Sequence, residues 1–514
     1  MNLSVLNHSF GQIYSRTATD QTITITPKGI VGNLPSAAVS VTNVGLGEFA
    51  LSSLTTGSSN NAFGYSALRN ITTGSQNVAV GTSALTSNTE GSNNVAIGTN
   101  TMVDNIKGTS NIAIGGFALQ KNTNGGANIA IGSGVLANHS FSNAGSNYSS
   151  SNIGIGSNAL QNTNPPNGFG NSGKNNIAIG TESMLTNTIG YQNISLGYRS
   201  LYSNSTGFQN ISIGADANYN NTIGSTNIAI GNKVLELNTT GQGNIVIGGT
   251  QKGGKAFSNI SIGTLSLAQN THAGENIAIG NAALTTMAFT NANTEYSTLN
   301  IAIGTNALNE LNPTSATNSS NNVAIGANAG YNLQTGINNV FLGYQSGVPG
   351  GTSVNNSVGI GHQATVNASN KVVIGNVFVS NIGGYAIWTN YSDKRLKENI
   401  VYTDRLGLEF IKRLKTTTYS YKNDPKRRTR DGLIAQDVQQ VLKDLNLSFS
   451  GLVEDENEEK TLNISYGMLV IPLINAAKEQ QKTLEDLEKE LSKQDADVQA
   501  IKTKLATLEA RGIK

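Results

Sequence analysis

Two residues near position 400 have the types and the spacing to do chemistry. Ser392 and Lys397 stand five positions apart in Tyr391-Ser392-Asp393-Lys394-Arg395-Leu396-Lys397-Glu398-Asn399-Ile400. A serine hydroxyl is a poor nucleophile until a base takes its proton. No histidine follows His362 and the chain has no cysteine, so a Ser-His-Asp triad or a cysteine nucleophile within the C-terminal segment is excluded. A lysine can serve as the base if burial disfavours its ammonium form, and Lys397 is the candidate. Packing of Leu396, Ile400 and Trp388 around it would supply part of that burial, and subunit assembly the rest. Asp393 is a supporting candidate, able to orient the lysine or the adjoining peptide, although it would also stabilise the charged lysine. Ser392-Asp393 ahead of apolar positions reads equally as a helix N-cap, and the two readings are compatible.

The elements that must position these residues differ sharply on either side. Among 514 residues, 58 are Gly and only 12% are charged, which argues against a chain held open by self-repulsion. Only 8 are Pro, which excludes collagen. A net charge of +2 gives no argument for nucleic acid or an anionic membrane as partner. Neither a signal-peptide apolar run at the amino terminus nor a bilayer-length apolar stretch is present, so synthesis in a cytoplasm without export or membrane insertion is expected. Residues 1–50 contain the alternating run Thr22-Ile23-Thr24-Ile25-Thr26, a short strand in a segment that either caps the chain or attaches it to a larger particle.

Residues 51–376 form a repeat with the kernel Asn-x-Ala-Ile-Gly, as in Asn94-Val95-Ala96-Ile97-Gly98 and Asn111-Ile112-Ala113-Ile114-Gly115. The kernel asparagines run from Asn61 through Asn77 and Asn94 to Asn339, most often 17 residues apart, with steps of 22 or 24 where loops are longer. Fixed-period similarity predicts a solenoid. Alternation within the kernel puts the branched residues on one face and Ala on the other. The expectation is an interior of stacked isoleucines, asparagine ladders at the turns, and an Ala stripe where chains pack side by side. Only 17 charged residues lie in this block and no acidic pair is clustered, so no glycosidase site is visible. Tyr65, Tyr198, Tyr219, Tyr331 and Tyr344 are read as rung packing, with stacking on a receptor glycan as the sharper alternative. The block resembles the head repeats of YadA-like trimeric autotransporter adhesins. That resemblance implies a trimeric parallel β-roll. The missing signal peptide and membrane barrel point away from a bacterial surface adhesin and toward a virion fibre.

Residues 377–391 alternate through Val377, Val379, Ile382, Tyr385 and Ile387 and read as connecting strands. After them the composition becomes highly charged. Phe410, Ile411 and Leu414 suggest a short helix, Thr416 to Lys422 and Leu462 to Tyr466 suggest strands, and the basic run Lys426 to Arg430 reads as a solvated loop facing the acidic run Glu454-Asp455-Glu456. From Leu473 a heptad places Ala477, Leu484, Leu491, Val498 and Leu505 at a, and Leu473, Gln480, Leu487, Gln494, Ile501 and Leu508 at d, which allows a trimeric coiled coil over about 470–510.

Residues 392–514 resemble the intramolecular chaperone (endosialidase-type, peptidase S74) domain of phage tail fibres and tailspikes. The stretches that carry the resemblance are 392–400, Gly432-Leu433-Ile434-Ala435-Gln436-Asp437-Val438 and Ile464-Ser465-Tyr466-Gly467-Met468-Leu469-Val470. It implies a domain that trimerises, templates the upstream fibre and cuts itself off with Ser392 as nucleophile and Lys397 as base at Tyr391–Ser392. The expected molecule is mostly β: a trimeric parallel β-roll rod with a C-terminal α+β chaperone domain ending in a coiled coil. Its expected role is that of a homotrimeric phage tail fibre, assembled in the host cytoplasm, docked to tail or baseplate proteins through its N-terminus and bound to a host receptor or glycan. No cofactor or metal is expected. The alternatives are a tailspike depolymerase and a cellular trimeric adhesin using the same release module.

Overall fold

The computed structural model describes residues 12–14, 24–26, 43–140, 148–165, 170–249, 254–289, 294–385 and 389–512. They divide into two compact units, Met1–Val366 and Asn367–Lys514.

The first unit is a parallel β-solenoid. Eighteen three-residue strands pair in sequence order from Val44–Leu46 to Val358–Ile360, each in register with the next. The series therefore begins one rung before the repeat visible in the sequence. Steps of 24 residues, such as Ile129 to Ile153, preserve the same pairing as steps of 17. The extra residues leave the coil without disturbing the strand register. The alternating N-terminal run is also a strand, Thr24–Thr26, paired antiparallel with Gln12–Tyr14.

The expected faces of the kernel are inverted. The central alanines, Ala79, Ala96, Ala113 and Ala130 among them, are fully buried inside the chain's own coil, whereas Ile97 is 37% and Ile325 42% exposed. The interior is filled from the opposite side by the x-x-Ala-Leu tail, whose Ala84-Leu85 and Ala118-Leu119 are fully buried. A rung is thin, and one leucine plus two alanines fill its cross-section. Volume is conserved where the pattern changes. Phe341 replaces the central alanine, and Gly330 in the preceding rung replaces the leucine, where an added Cβ would lie 2.9 Å from the Phe341 ring. Isoleucines at the strand centre would overfill the coil, so the branched pair is turned outward and forms two half-exposed ladders.

The corners carry the polar order. In Asn94 the side-chain amide donates to Asn77 Oδ1 at 3.0 Å and to the Gly108 carbonyl at 2.9 Å, and its own Oδ1 accepts the Asn111 backbone N–H at 3.0 Å. The backbone N–H to Oδ1 bond runs without a break from Asn43 to Ser357, with Asn60 rather than Asn61 as the corner residue of its rung, whereas at the 24-residue steps ending at Asn152 and Asn300 the hydroxyls of Ser150 and Thr298 replace the corner amides on the preceding Oδ1. The kernel glycine turns the chain at positive φ, +135° at Gly98, and sits against the next rung so closely that a Cβ would meet the Gly115 carbonyl carbon at 2.7 Å. A second amide column, Asn88-Asn105-Asn122 and Asn187-Asn204-Asn221-Asn238, is interrupted at the two long loops by His139 and Thr163. There Asn122 Oδ1, His139 Nδ1 and Thr163 Oγ1 are buried without a hydrogen-bond partner among the protein atoms.

The second unit is built around Leu406, Phe410, Val438, Leu442 and Phe449. Its elements are α1 (Leu408–Arg413), α2 (Ala435–Asp444), α3 (Val470–Ala510) and two antiparallel strand pairs, Thr417–Tyr419 with Arg430–Gly432 and Leu452–Glu454 with Leu462–Ile464. The short helix and both predicted strands thus fall where the sequence places them. The connecting strands do not. Among the described residues of 377–391 there is no strand, and Phe378, Ile382 and Tyr385 are exposed, because an alternating run needs a neighbour to pair with and this chain offers none.

Candidate functional site

Ser392 and Lys397 meet. A one-turn 3₁₀ helix, Lys394–Leu396, shortens the path between them, and Lys397 leaves it in an extended conformation with its N–H on the Lys394 carbonyl. The Lys397 side chain then returns along the turn, and Nζ donates to Ser392 Oγ at 2.8 Å. The N-cap of the turn is Asp393, not Ser392: its carboxylate accepts the Arg395 backbone N–H at 2.8 Å. That shift of one residue keeps the serine hydroxyl out of the cap and available to the lysine.

Asp393 is committed elsewhere than the lysine. Its carboxylate forms an ion pair with the Arg395 guanidinium, at 2.6 Å from one nitrogen and 3.1 Å from another. The Arg395 side chain, and after it the Arg395 backbone N–H, holds the Asp393 carboxyl below the usual carboxylate range. Asp393 therefore shapes the turn that carries Ser392 and Lys397.

The surroundings are open. No residue of the turn is buried, Tyr391 is 95% exposed, and Leu396, Val401 and Tyr402 are exposed as well. Leu396 and Ile400 thus do not enclose Lys397 within one chain, and Trp388, the third expected wall, lies outside the described residues. A serine and an amine at hydrogen-bond distance have the geometry for proton transfer. Among the described residues none encloses Lys397 to supply the exclusion of water that would favour a neutral amine.

The stem of the unit holds the segment that follows. Helix α1 starts at Gly407 with no local side-chain cap, and its Leu408 N–H instead donates to Glu479 Oε2 of α3 at 3.0 Å. Asn475 Nδ2 donates to the Leu406 carbonyl at 3.2 Å. Gly407 permits this close approach, since a Cβ there would meet the Glu479 carboxylate at 1.7 Å and push that side chain away. Sequence reasoning missed Glu479 and Asn475. The only local signal was a helix start lacking a Ser, Thr, Asp or Asn cap.

The second and third motifs touch: the Leu433 N–H donates to the Tyr466 hydroxyl at 2.9 Å. The basic run does not face the acidic one. Arg428 pairs with the buried Asp424 at 2.9 Å and donates to the Val377 carbonyl, while Asp455 takes Lys371 at 2.5 Å. Local turn geometry brings Asp424 to Arg428 at i,i+4 before any longer-range pairing is possible. Along α3, the heptad residues Leu484, Leu487 and Leu491 are each more than half exposed, as are Ile501 and Leu505. An apolar stripe of this length at heptad spacing, uncovered among the described residues, is the pattern of a coiled-coil seam.

Residues 392–447 match the family of peptidase S74, described as chaperone of endosialidase. No curated protein and no solved structure matches the chain. A module of this family at the C-terminal side, with a long parallel β-solenoid upstream in the sequence, fits a tail fibre or tailspike with a C-terminal chaperone domain. The family suggests a self-cleaving peptidase domain.

Proposed function

We propose that the chain is the subunit of a homotrimeric phage tail fibre whose C-terminal unit aligns three chains, guides the rod into register and then cuts itself away at Tyr391–Ser392. The observation that carries this reading is the 2.8 Å contact of Lys397 Nζ with Ser392 Oγ on a turn that its own chain leaves uncovered. Covering that turn with neighbouring copies would displace water and favour the free amine. Lys397 then takes the Ser392 hydroxyl proton while Oγ attacks the Tyr391 carbonyl carbon. The C–N bond breaks, the proton passes to the departing Ser392 amine, and an ester joins Tyr391 to Ser392 Oγ. Water hydrolyses the ester, leaving a Tyr391 carboxylate and restoring the hydroxyl. Each chain turns over once.

The half-exposed isoleucine ladders of the rod and the apolar stripe of α3 supply two surfaces suited to the same symmetric association. The α3 contacts are local and fast, whereas rungs assembled across chains are slow and prone to slip. A helical clamp that forms first sets the register. Its later removal makes the rod kinetically trapped. In this reading the N-terminal segment docks on the tail or baseplate, the rod binds a host surface receptor, and the mature product resides in the virion.

Denaturing electrophoresis tests the cut. The wild type should yield fragments of 391 and 123 residues, about 41 kDa and about 13 kDa of the 53.6 kDa chain. Ser392→Ala and Lys397→Ala should each stay whole. A wild type that remains intact as an assembled trimer, or a Ser392→Ala variant that is still cut, would overturn the proposal.

A further inference from the structure

We propose that the rod carries a glycan-binding groove across the rungs from Thr226 to Phe257, suited to a short stretch of uncharged oligosaccharide. This rests on the receptor-binding role proposed above and gives that role a place and a ligand class.

The register of the coil builds the groove. Because corner asparagines stack, the residues two positions before them stack as well, and this column reads Tyr191, Phe208, Ser225, Gln242, Phe257 over successive rungs. Backbone bonds hold it: Thr226 N–H to the Phe208 carbonyl at 2.9 Å, Gly243 N–H to Ser225 at 3.1 Å, and Ser258 N–H to Gln242 at 2.8 Å. Tyr191 and Phe208 stack face to face, with centroids 5.0 Å apart and planes 3° apart. Phe257 lies three rungs further on, about 14 Å at the spacing of paired strands. On the Phe208 side of Phe257 the floor is small and polar, through Thr226, Gln242 and Gly243. The groove has a volume of about 340 Å³ and is lined by Thr226, Gln242, Gly243, Phe257, Ser258 and Glu295.

One lip comes from the 24-residue step between Asn276 and Asn300. That insertion returns alongside the coil, pairing Tyr296 with Ala273 and Ser297 with Gly274. Tyr296 is buried and its hydroxyl donates to the Phe289 carbonyl at 2.9 Å, which anchors the exposed Glu295 beside it. Phe257 is backed by Gly274, where a Cβ would lie 2.4 Å from the ring, so the ring is held in place by backbone.

The chemistry selects the ligand. An aromatic face is electron-rich and attracts the C–H face of a pyranose. The Gln242 amide both donates and accepts, and the Glu295 carboxylate accepts, which suits vicinal hydroxyls. Among the described residues no lysine or arginine lines the groove, and Glu295 repels phosphate, sulfate and uronate, which favours a neutral sugar. The strand ladders lie on the other side of the buried corner asparagine in each rung. Association through those ladders would therefore leave this column accessible.

Saturation-transfer NMR on the full-length protein, with a panel of short neutral glucose, galactose and N-acetylglucosamine oligomers, tests the groove. Transfer to at least one member is expected, weakened about tenfold or more by Phe257→Ala and by Gln242→Ala, and less by Glu295→Gln. Gln242 and Glu295 are exposed, so their variants report on binding even if Phe257→Ala perturbs the coil. No transfer to the wild type, or transfer unchanged in all three variants, overturns the groove. Adsorption of labelled protein to host cells separates the two ideas. Adsorption that survives the variants leaves the receptor role and removes the groove, whereas a wild type that does not adsorb removes both.

Discussion

The rod and the C-terminal unit solve opposite problems. In the rod nearly every polar group is answered within the chain: Asn94 alone takes part in hydrogen bonds to Asn77, Gly108 and Asn111, all inside a fully buried corner. In the C-terminal unit the turn bearing Ser392 and the whole a/d stripe of α3 are open to solvent. One region is finished along its axis by its own sequence, and its outward ladders add a surface to be covered. The other has a small core and spends most of its length on surfaces that a single chain does not cover. The difference teaches that uncovered apolar surface is concentrated in α3, which the proposed assembly would use, while hydrogen-bonded order runs along the rod.

The comparison can be broken most decisively in α3. Leu487→Asp places a charge in the middle of the exposed stripe and should abolish both oligomerisation and scission, read together by sedimentation and denaturing electrophoresis. A monomer that still cuts would show that the C-terminal unit is as self-sufficient as the rod. A smaller effect is expected from Asn94→Ala. It deletes the side-chain bonds of one corner and leaves the Asn111 backbone N–H without its acceptor, at a cost of roughly 1–3 kcal/mol in thermal or denaturant unfolding of the rod.

The third effect depends on pH and sharpens the contrast inside the rod itself. His139 occupies the place of an asparagine in the second amide column, with Nε2 3.1 Å from Ser150 Oγ and Nδ1 unpaired. Burial pushes its pKa down to about 4, while the nearby Thr163 backbone opposes the shift without closing a hydrogen bond. Since the folded value lies below the unfolded one of 6.5, the unfolded chain takes up the proton first as pH falls. Stability present above pH 6.5 is therefore lost between there and about pH 4, by up to about 3 kcal/mol. His139→Asn should flatten that acid slope and change little at pH 8. Melting temperatures of both proteins across this range provide the check.

Much of this was legible in the residues, for identifiable reasons. The repeat showed itself because each rung must present the same corner, and Asn and Gly are the residues that corner needs. Ser392 and Lys397 were legible as a spaced pair because the contact is local. Alternation revealed that the kernel has two faces, but not which is inside. That depends on the width of the coil, set by Leu85 and its equivalents arriving from the far side of the rung. The cap moved from Ser392 to Asp393 because both residue types cap well and only the backbone chooses. Glu479 was invisible because its partner, the Leu408 N–H, lies 71 residues away and is a backbone group.

The unbroken register across steps of 15, 17, 22 and 24 residues has an evolutionary consequence. A loop enlarged at one rung leaves the strands of the rungs above and below it paired in the same register. What the shaft touches can thus be rewritten as a cassette, one excursion at a time, while its load-carrying column is inherited intact. Diversity in specificity and constancy in architecture are encoded at different positions of the same seventeen-residue unit.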